Sequence, residues 1–256
     1  MPSTSELRRR AILDRARTEG RVDVTDLADD LGVASETIRR DLSRLENHGL
    51  IRRVHGGAQP VESAGYETSI LLRAESRPQE KRRIAVAAAE HLGDAETVFI
   101  DEGFTPQLVA EELVASDRPL TFVTSSLTSA AILAANPAHT TIMLGGRIRG
   151  RTLGTVDHWA TAMLADLRVD IAYLGANGVS RTHGLTTPDP AVAAVKRAAV
   201  AAARRRIFVG INTKFSVSSF IRFADLADFE LLITDAGLNA HEAQRYAAAG
   251  TQVLRT

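Results

Sequence analysis

From residue 77 onward, apolar runs of three to five residues recur between stretches that are mostly Ala-rich and helical in period, and this alternation constrains the fold more than any other feature. The runs are 97–100, 120–123, 141–144, 171–174, 207–211, 231–234 and 252–254. Helical patterns at 79–91, 106–115 and 127–135 precede the first three. Strands separated by helices pair in parallel, and a parallel sheet needs helices over its faces. A C-terminal α/β domain with a mostly parallel sheet is therefore expected over 77–256.

The first sixty residues follow another pattern. Ser5 can cap a helix in which Leu7, Ala11, Ile12 and Leu13 recur at helical spacing, and Gly20 ends it. Thr25 can cap a second helix reaching Leu31, with Asp26 and Asp29 early in it. Gly32 and Val33 break the chain, and Ser35 caps a third helix that runs to about Asn47 and is closed by Gly49. Residues 50–58 are β-compatible and turn at Gly56–Gly57, which predicts a wing hairpin. The expected unit is an α+β winged helix-turn-helix over 1–60, its helix-turn-helix at about 22–41, followed by a linker over 61–76.

The third helix carries a readable chemistry. Ile38, Leu42 and Leu45 form one apolar stripe, and Glu36, Thr37, Arg40, Ser43 and Arg44 lie opposite it, with Arg39 on the flank. Arginine can donate two hydrogen bonds to guanine, and hydroxyls contact bases or phosphates. Candidate DNA contacts are therefore Ser35, Thr37, Arg39, Arg40, Ser43 and Arg44, with Arg52, Arg53 and His55 on the wing. The bland alternative is a solvated amphipathic helix; the order helix, helix, tight turn, helix, Gly-Gly wing argues against it. The charges balance at 31 to 31, so any surface that meets double-stranded DNA must be basic locally. One recognition helix reads only a few base pairs, so a homo-oligomer, at least a dimer, is expected.

The carboxyl ends of parallel strands are where such sheets bind ligands. Here they carry Asp101, Gly103, Phe104 and Thr105; Thr124, Ser125 and Ser126; Gly145, Gly146 and Arg147; Gly175, Asn177 and Gly178; and Lys214. Glycine N–H groups, hydroxyls, Arg147 and Lys214 suit a small anionic effector, and Asp101 and Asn177 suit sugar hydroxyls. Any one of these loops taken singly reads as ordinary helix capping. The chain has no cysteine, and His158 and His183 lack partners at ligand spacing, so no metal and no cofactor are expected. Trp159, with Ala162 and Met163 at i+3 and i+4, reads as core or interface. No secretory signal or apolar span is visible, so a cytoplasmic, non-membrane protein is expected.

Residues 24–31, T-I-R-R-D-L at 37–42, 49–53 and H-G-G-A at 55–58 closely resemble the DeoR family of bacterial regulators, and the resemblance extends over nearly the whole chain. It implies a sensing domain similar in fold to ribose-5-phosphate isomerases and glucosamine-6-phosphate deaminases. It also implies a phosphorylated sugar or related metabolite as effector, repression of a carbohydrate-catabolism operon, and dimers or tetramers. The family's first loop reads Asp, any residue, Gly, small hydroxyl, Thr; Asp101, Gly103 and Thr105 match and Phe104 departs. In the late loop Lys214 and Phe215 match, Asn212 or its neighbour falls where Asp is expected, and Ser216 replaces Gly. The stretch before Lys196, often carrying Glu in relatives, is Ala-rich here. An alternative is a sugar-phosphate isomerase with a DNA-binding appendage. Gly175–Ala176–Asn177–Gly178 stands where related isomerases carry acids and supplies no base, so no catalytic residue is assigned. A DNA-binding structural protein without a ligand would leave the long α/β domain unexplained.

Overall fold

The computed structural model describes residues 4–47, 50–60 and 70–256. The chain divides into two units, Met1–Leu72 and Arg73–Thr256. The first contains α1 (Thr4–Glu19), β1 (Val22–Asp23), α2 (Val24–Leu31), α3 (Ser35–Asn47), β2 (Ile51–Val54) and β3 (Gly57–Pro60). α2 ends because Gly32 adopts the left-handed conformation, φ 61°, and its N–H reaches back to the carbonyls of Ala28 and Asp29. Ile38, Leu42 and Leu45 of α3 are buried together with Ile12, Ala16, Leu27, Ile51 and Ala58. β2 and β3 form the expected hairpin, turning through His55 and Gly56, and β1 adds a third strand antiparallel to β3.

The sequence pattern predicts no strand at 22–23. Glycine admits it, since a Cβ on Gly57 would lie 2.0 Å from the Val22 carbonyl oxygen. Because β1 runs directly into α2, the residue preceding that helix is Asp23 rather than the expected cap Thr25. Gly49 and most of the segment read as a linker, residues 61–69, lie outside the described residues. Ile70–Glu75, within that segment, forms a short helix, α4; its residues, ILLRAE, are tolerant of helix, and Gly and Pro are absent.

The second unit continues with α5 (Pro78–Glu90), β4 (Thr97–Ile100), α6 (Phe104–Leu113), β5 (Thr121–Thr124), α7 (Leu127–Leu133) and β6 (Thr140–Met143). A two-residue pair follows, β7 (Arg147–Ile148) and β8 (Thr155–Val156), then α8 (His158–Ala165) and β9 (Val169–Leu174). After β10 (Gly178–Ser180), β11 (Gly184–Thr187), α9 (Pro190–Ala202), β12 (Ala203–Val209) and β13 (Ile221–Ala224), the chain ends in β14 (Leu231–Thr234), α10 (Ala240–Ala247) and β15 (Gln252–Arg255).

Seven strands form one parallel sheet in the order β15-β14-β12-β9-β4-β5-β6. Alternate residues feed two cores. Phe99, Leu174 and Phe208 pack with Ala160 and Leu164 of α8 and Val195 of α9. Val98, Ile100, Tyr173 and Ile207 pack on the other face with Ile84 of α5 and Leu108 of α6. β10, β11 and β13 form a separate antiparallel sheet that the apolar runs do not predict.

The winding changes direction between β4 and β9. β4, β5 and β6 build outward one way, and β9, β12, β14 and β15 the other. A crevice at the carboxyl ends of the strands is expected at such a point. The opposite, amino-terminal ends are clamped by Asp170: its Oδ2 accepts from the Thr97 hydroxyl at 2.7 Å, the Thr97 N–H at 3.0 Å and the Glu96 N–H at 3.1 Å. Those donors, the Thr97 hydroxyl foremost, hold the Asp170 carboxyl below its ordinary range.

Candidate functional site

In the N-terminal unit the predicted DNA face is largely open. Arg40 and Arg39 are exposed and share Glu36 one turn back, at 3.8 and 3.5 Å. Arg44, Arg52, Arg53 and His55 are exposed; Ser35 and Thr37 are half-buried at the start of α3. Ser43 is tied inward: its hydroxyl donates to the Arg39 carbonyl at 2.9 Å and accepts from Arg53 Nη1 at 3.2 Å. With the Arg53 N–H donating to Glu46 at 2.8 Å, these bonds fix the wing to α3. Arg52 Nη2 donates to Gln59 at 3.3 Å. The acid in T-I-R-R-D-L has a structural task. Asp41 is buried and ion-pairs with Arg8 at 2.6 Å and Arg9 at 3.4 Å, pinning α1 to α3 while the neighbouring arginines face outward.

In the C-terminal unit the switch point holds a buried cluster. Ile100 and Thr124 are register partners at the ends of β4 and β5, so the next residues, Asp101 and Ser125, stand at adjacent strand ends. Asp101 Oδ2 accepts from the Gly175 N–H, at the end of β9, at 2.9 Å, and it ion-pairs with Lys196 of α9. Lys196 also donates to the Gly175 carbonyl at 3.1 Å. The side chains are 1% and 5% exposed, so the pair is essentially desolvated. Among the described residues, Asp101 Oδ1 and the Ser125 hydroxyl are buried with no hydrogen-bond partner.

Beside this pair lies a second ionic group. Arg149 Nη1 approaches Glu102 Oε1 at 3.4 Å, and its Nη2 lies 3.1 Å from Asp189 Oδ2. The Thr152 hydroxyl donates to Glu102 Oε2 at 2.6 Å. Asp189 is also the N-cap of α9, its Oδ1 accepting from the N–H groups of Ala191 at 2.8 Å and Val192 at 3.2 Å, with Pro190 in the first turn. Glu102, Arg149 and Asp189 thereby join the β4–α6 loop, the segment after β7 and the start of the helix that carries Lys196.

The remaining predicted residues divide by what they touch. Gly103 precedes α6 at φ 118°, a conformation that favours glycine, and no side chain caps that helix. Phe104 and Thr105 begin α6, two residues earlier than the periodicity predicts. The Phe104 ring lies under the Lys81 ammonium, 5.4 Å from its centroid. The Thr124 hydroxyl donates to the Ile100 carbonyl at 2.7 Å, and Ser126 caps α7 through the Ser129 N–H at 3.2 Å, so both are committed to the scaffold. The Gly145 N–H donates to Met163 Sδ at 3.1 Å, and Gly146 allows close packing on the Val156 carbonyl.

Arg147 is exposed and paired with Asp157 at 2.9 Å; the less exposed cation nearby is Arg149, which is half-buried. Asn177 accepts from the Thr187 hydroxyl at 3.0 Å, while a Cβ on Gly178 would collide with the Val217 carbonyl. Lys214 is half-buried in a short 3-10 turn, Asn212–Lys214. Asn212 is held by Arg77 at 2.7 Å and by Asp235 at 2.6 Å. A groove of about 440 Å³ between α5 and Thr256 involves none of these residues.

Sequence reasoning assigned no role to Lys196, Arg149, Thr152, Asp189 or Lys81. One signal was available: Lys81, Lys196 and Lys214 are the only lysines in the chain. Two of them are buried at these loops, in a protein whose other basic side chains are arginines. Among the described residues, no group of His, Asp or Glu is arranged to hold a metal ion, and no helix is long and apolar enough to cross a membrane.

A winged helix-turn-helix followed by a helix-covered parallel sheet, with buried unpaired acceptor and hydroxyl groups at its switch point, defines a DNA-binding regulator with a ligand-sensing domain. Residues 8–64 match the DeoR-like helix-turn-helix domain and residues 76–236 the DeoR C terminal sensor domain. The chain belongs to the DeoR family of transcriptional regulators. It is 36% identical to the HTH-type transcriptional regulator GlpR of Haloferax volcanii, over 98% of this chain and 97% of that protein. It is 30% identical to the glycerol-3-phosphate regulon repressor of Escherichia coli (strain K12), over 90% of each. Among solved structures, ribose 5-phosphate isomerase A from Methanocaldococcus jannaschii aligns with a TM-score of 0.40 and 16% identity, over 55% of each chain.

Proposed function

We propose that this regulator represses a carbohydrate-catabolism operon and is released from its operator by a phosphorylated sugar or polyol bound at the β4–β9 switch point. The carrying observation is the pair of buried polar atoms without partners, Asp101 Oδ1 and Ser125 Oγ, beside the Asp101–Lys196 ion pair. A buried polar atom left unpaired costs about 1–3 kcal/mol, and a ligand hydroxyl meeting it would recover much of that cost. On this reading Asp101 and Ser125 bind hydroxyls. Gly103, Thr105 and the uncapped start of α6 receive the anionic end, with Lys214 as a further cation. Phe104, seated under Lys81, lines the sugar side. The name of the Escherichia coli relative, a glycerol-3-phosphate regulon repressor, agrees with a small phosphorylated ligand.

The same cluster supports binding without turnover. The acids of the cluster, Asp101, Glu102 and Asp189, are each held in an ion pair, and Asn177 stands where a carboxylate would be needed. On the DNA side, Thr37, Arg40 and Arg44 read the major groove, Ser35 and Arg39 hold phosphates, and Arg52 and His55 extend contact from the wing. Ser43 and Arg53 join the wing to α3. The protein acts in the cytoplasm as a homo-oligomer on a repeated operator.

Calorimetry with a panel of sugar phosphates, polyol phosphates and free sugars tests the sensing claim. A phosphorylated member is expected to bind the wild type and to lose at least tenfold in affinity with Asp101→Asn. Absence of binding by every member at millimolar concentration would overturn the effector class; binding unaffected by Asp101→Asn would overturn the site.

A further inference from the structure

The thirteen residues of α3 include three acids, and each stands differently. Asp41 is buried between Arg8 and Arg9. Glu46 is half-buried and accepts the Arg53 N–H. Glu36 is exposed in the first turn, on the face that carries Thr37, Arg40 and Arg44. Its Oε1 lies 3.8 Å from Arg40 Nε, and its Oε2 lies 3.5 Å from Arg39 Nη1. All three side chains are more than half exposed, so both contacts are weak and yield readily to a better partner.

A carboxylate facing DNA is costly unless a donor meets it. It accepts hydrogen bonds and donates none. Phosphates repel it, and so do the N7, O6 and O4 acceptors that base pairs present in the major groove. The groups there that satisfy it are the amino groups of cytosine and adenine. Arg40 and Glu36 stand side by side, a donor fork beside an acceptor. A G·C pair presents the complement, the guanine N7 and O6 acceptors beside the cytosine amino donor.

We propose that Glu36 determines sequence specificity: it accepts from a cytosine amino group beside the guanine that Arg40 reads, and it repels duplexes lacking that amino group. This rests on the proposed DNA face of α3. Arginine contacts to phosphate raise affinity for every sequence. Glu36 lowers that general affinity and offsets the loss only where the amino group is present, so the gap between operator and other DNA widens. An acid placed only to complement the helix dipole would leave the gap unchanged.

The test compares wild type, Glu36→Ala and Glu36→Asp by in vitro selection and by fluorescence anisotropy. The duplexes are the selected one, the same with the cytosine's pair exchanged, and an unrelated one. Exchanging the pair should cost the wild type about tenfold and Glu36→Ala less than about threefold. Glu36→Ala should also bind the unrelated duplex more tightly than the wild type does, and its selected pool should lose the cytosine. Glu36→Asp keeps the charge and should bind the unrelated duplex as weakly as the wild type.

The same base preferences in the wild-type and Glu36→Ala pools would overturn the proposal, as would an equal change in affinity for all three duplexes. Tight binding of the unrelated duplex by Glu36→Asp would overturn the role of the charge. Arg40→Ala on the selected duplex separates the two claims. If it leaves affinity unchanged, the DNA face itself is wrong; if it weakens binding while Glu36→Ala alters no preference, only the role of Glu36 fails.

Discussion

Replacing Lys196 with methionine removes the cation from a nearly waterless site. Asp101 would then keep only the Gly175 N–H on Oδ2, with Oδ1 already unpaired. The side chains are 1% and 5% exposed, so solvent offers little compensation. Breaking a buried pair from one side costs about 3–5 kcal/mol. For a domain of this size each kcal/mol lowers the melting temperature by about 2–4 °C, so Lys196→Met should lose about 6–20 °C. Asp101→Asn should also destabilise, because it removes the negative charge that faces the buried Lys196 ammonium.

The double variant leaves no buried charge, and replacing a whole pair by neutral groups is often close to neutral. It should therefore lie well above the sum of the two losses, with a coupling of about 2 kcal/mol or more. Differential scanning calorimetry of the four proteins at neutral pH measures this cycle. Additivity within about 0.5 kcal/mol, or a loss below about 1 kcal/mol for Lys196→Met, would show that the pair is not desolvated and refute the reasoning.

Three other outcomes follow from particular contacts. Arg40→Ala should weaken operator binding by about 1–3 kcal/mol and relax specificity, whereas Arg39→Ala should weaken binding to all sequences and reduce the salt slope by about one; fluorescence anisotropy at several salt concentrations separates the two. Ser216 has φ 59° and is held by the Tyr246 hydroxyl accepting from its N–H at 2.8 Å, so Ser216→Gly should relieve strain and stabilise by up to about 1 kcal/mol in thermal melts. Asp170→Asn should cost about 1–2 kcal/mol at neutral pH, after discounting for partial exposure. Because the folded pKa lies below the ordinary 3.8, this contribution is complete above the unfolded value and disappears as pH falls through the folded one. Denaturation of both proteins across pH 2–7 should therefore show the gap closing in acid.

The parallel strands were the most legible part of the chain. Buried on both faces, they appear as short unbroken apolar runs, and 97–100 and 231–234 coincide with β4 and β14. β7, β8 and β10 are two or three residues long and rich in Gly, Thr, Arg and Ser, so no periodicity marks them. Strand order was also hidden, because the neighbours β4 and β9 are about seventy residues apart in sequence. The α3 stripe was readable because thirteen residues give several turns of a 3.6 period. The partners of Asp41 were not, since Arg8 and Arg9 come from another helix. Lys196 sits in AVAAVKRAAV beside Arg197 and looks like a surface cation; only its position on α9, turned toward the end of β4, makes it a buried partner of Asp101.

The central claim is that one small anion at the switch point sets affinity at the recognition helix. The most direct measurement is fluorescence anisotropy of this protein on a duplex chosen by in vitro selection, with and without the tightest ligand from the calorimetric panel, in wild type and Asp101→Asn. A coupling of about 1–3 kcal/mol predicts that the ligand weakens wild-type binding by about 5- to 150-fold. Asp101→Asn, assayed well below its lowered melting temperature, should bind the same duplex normally and fail to respond. Equal wild-type affinity with and without saturating ligand would contradict the account, as would an undiminished response in Asp101→Asn.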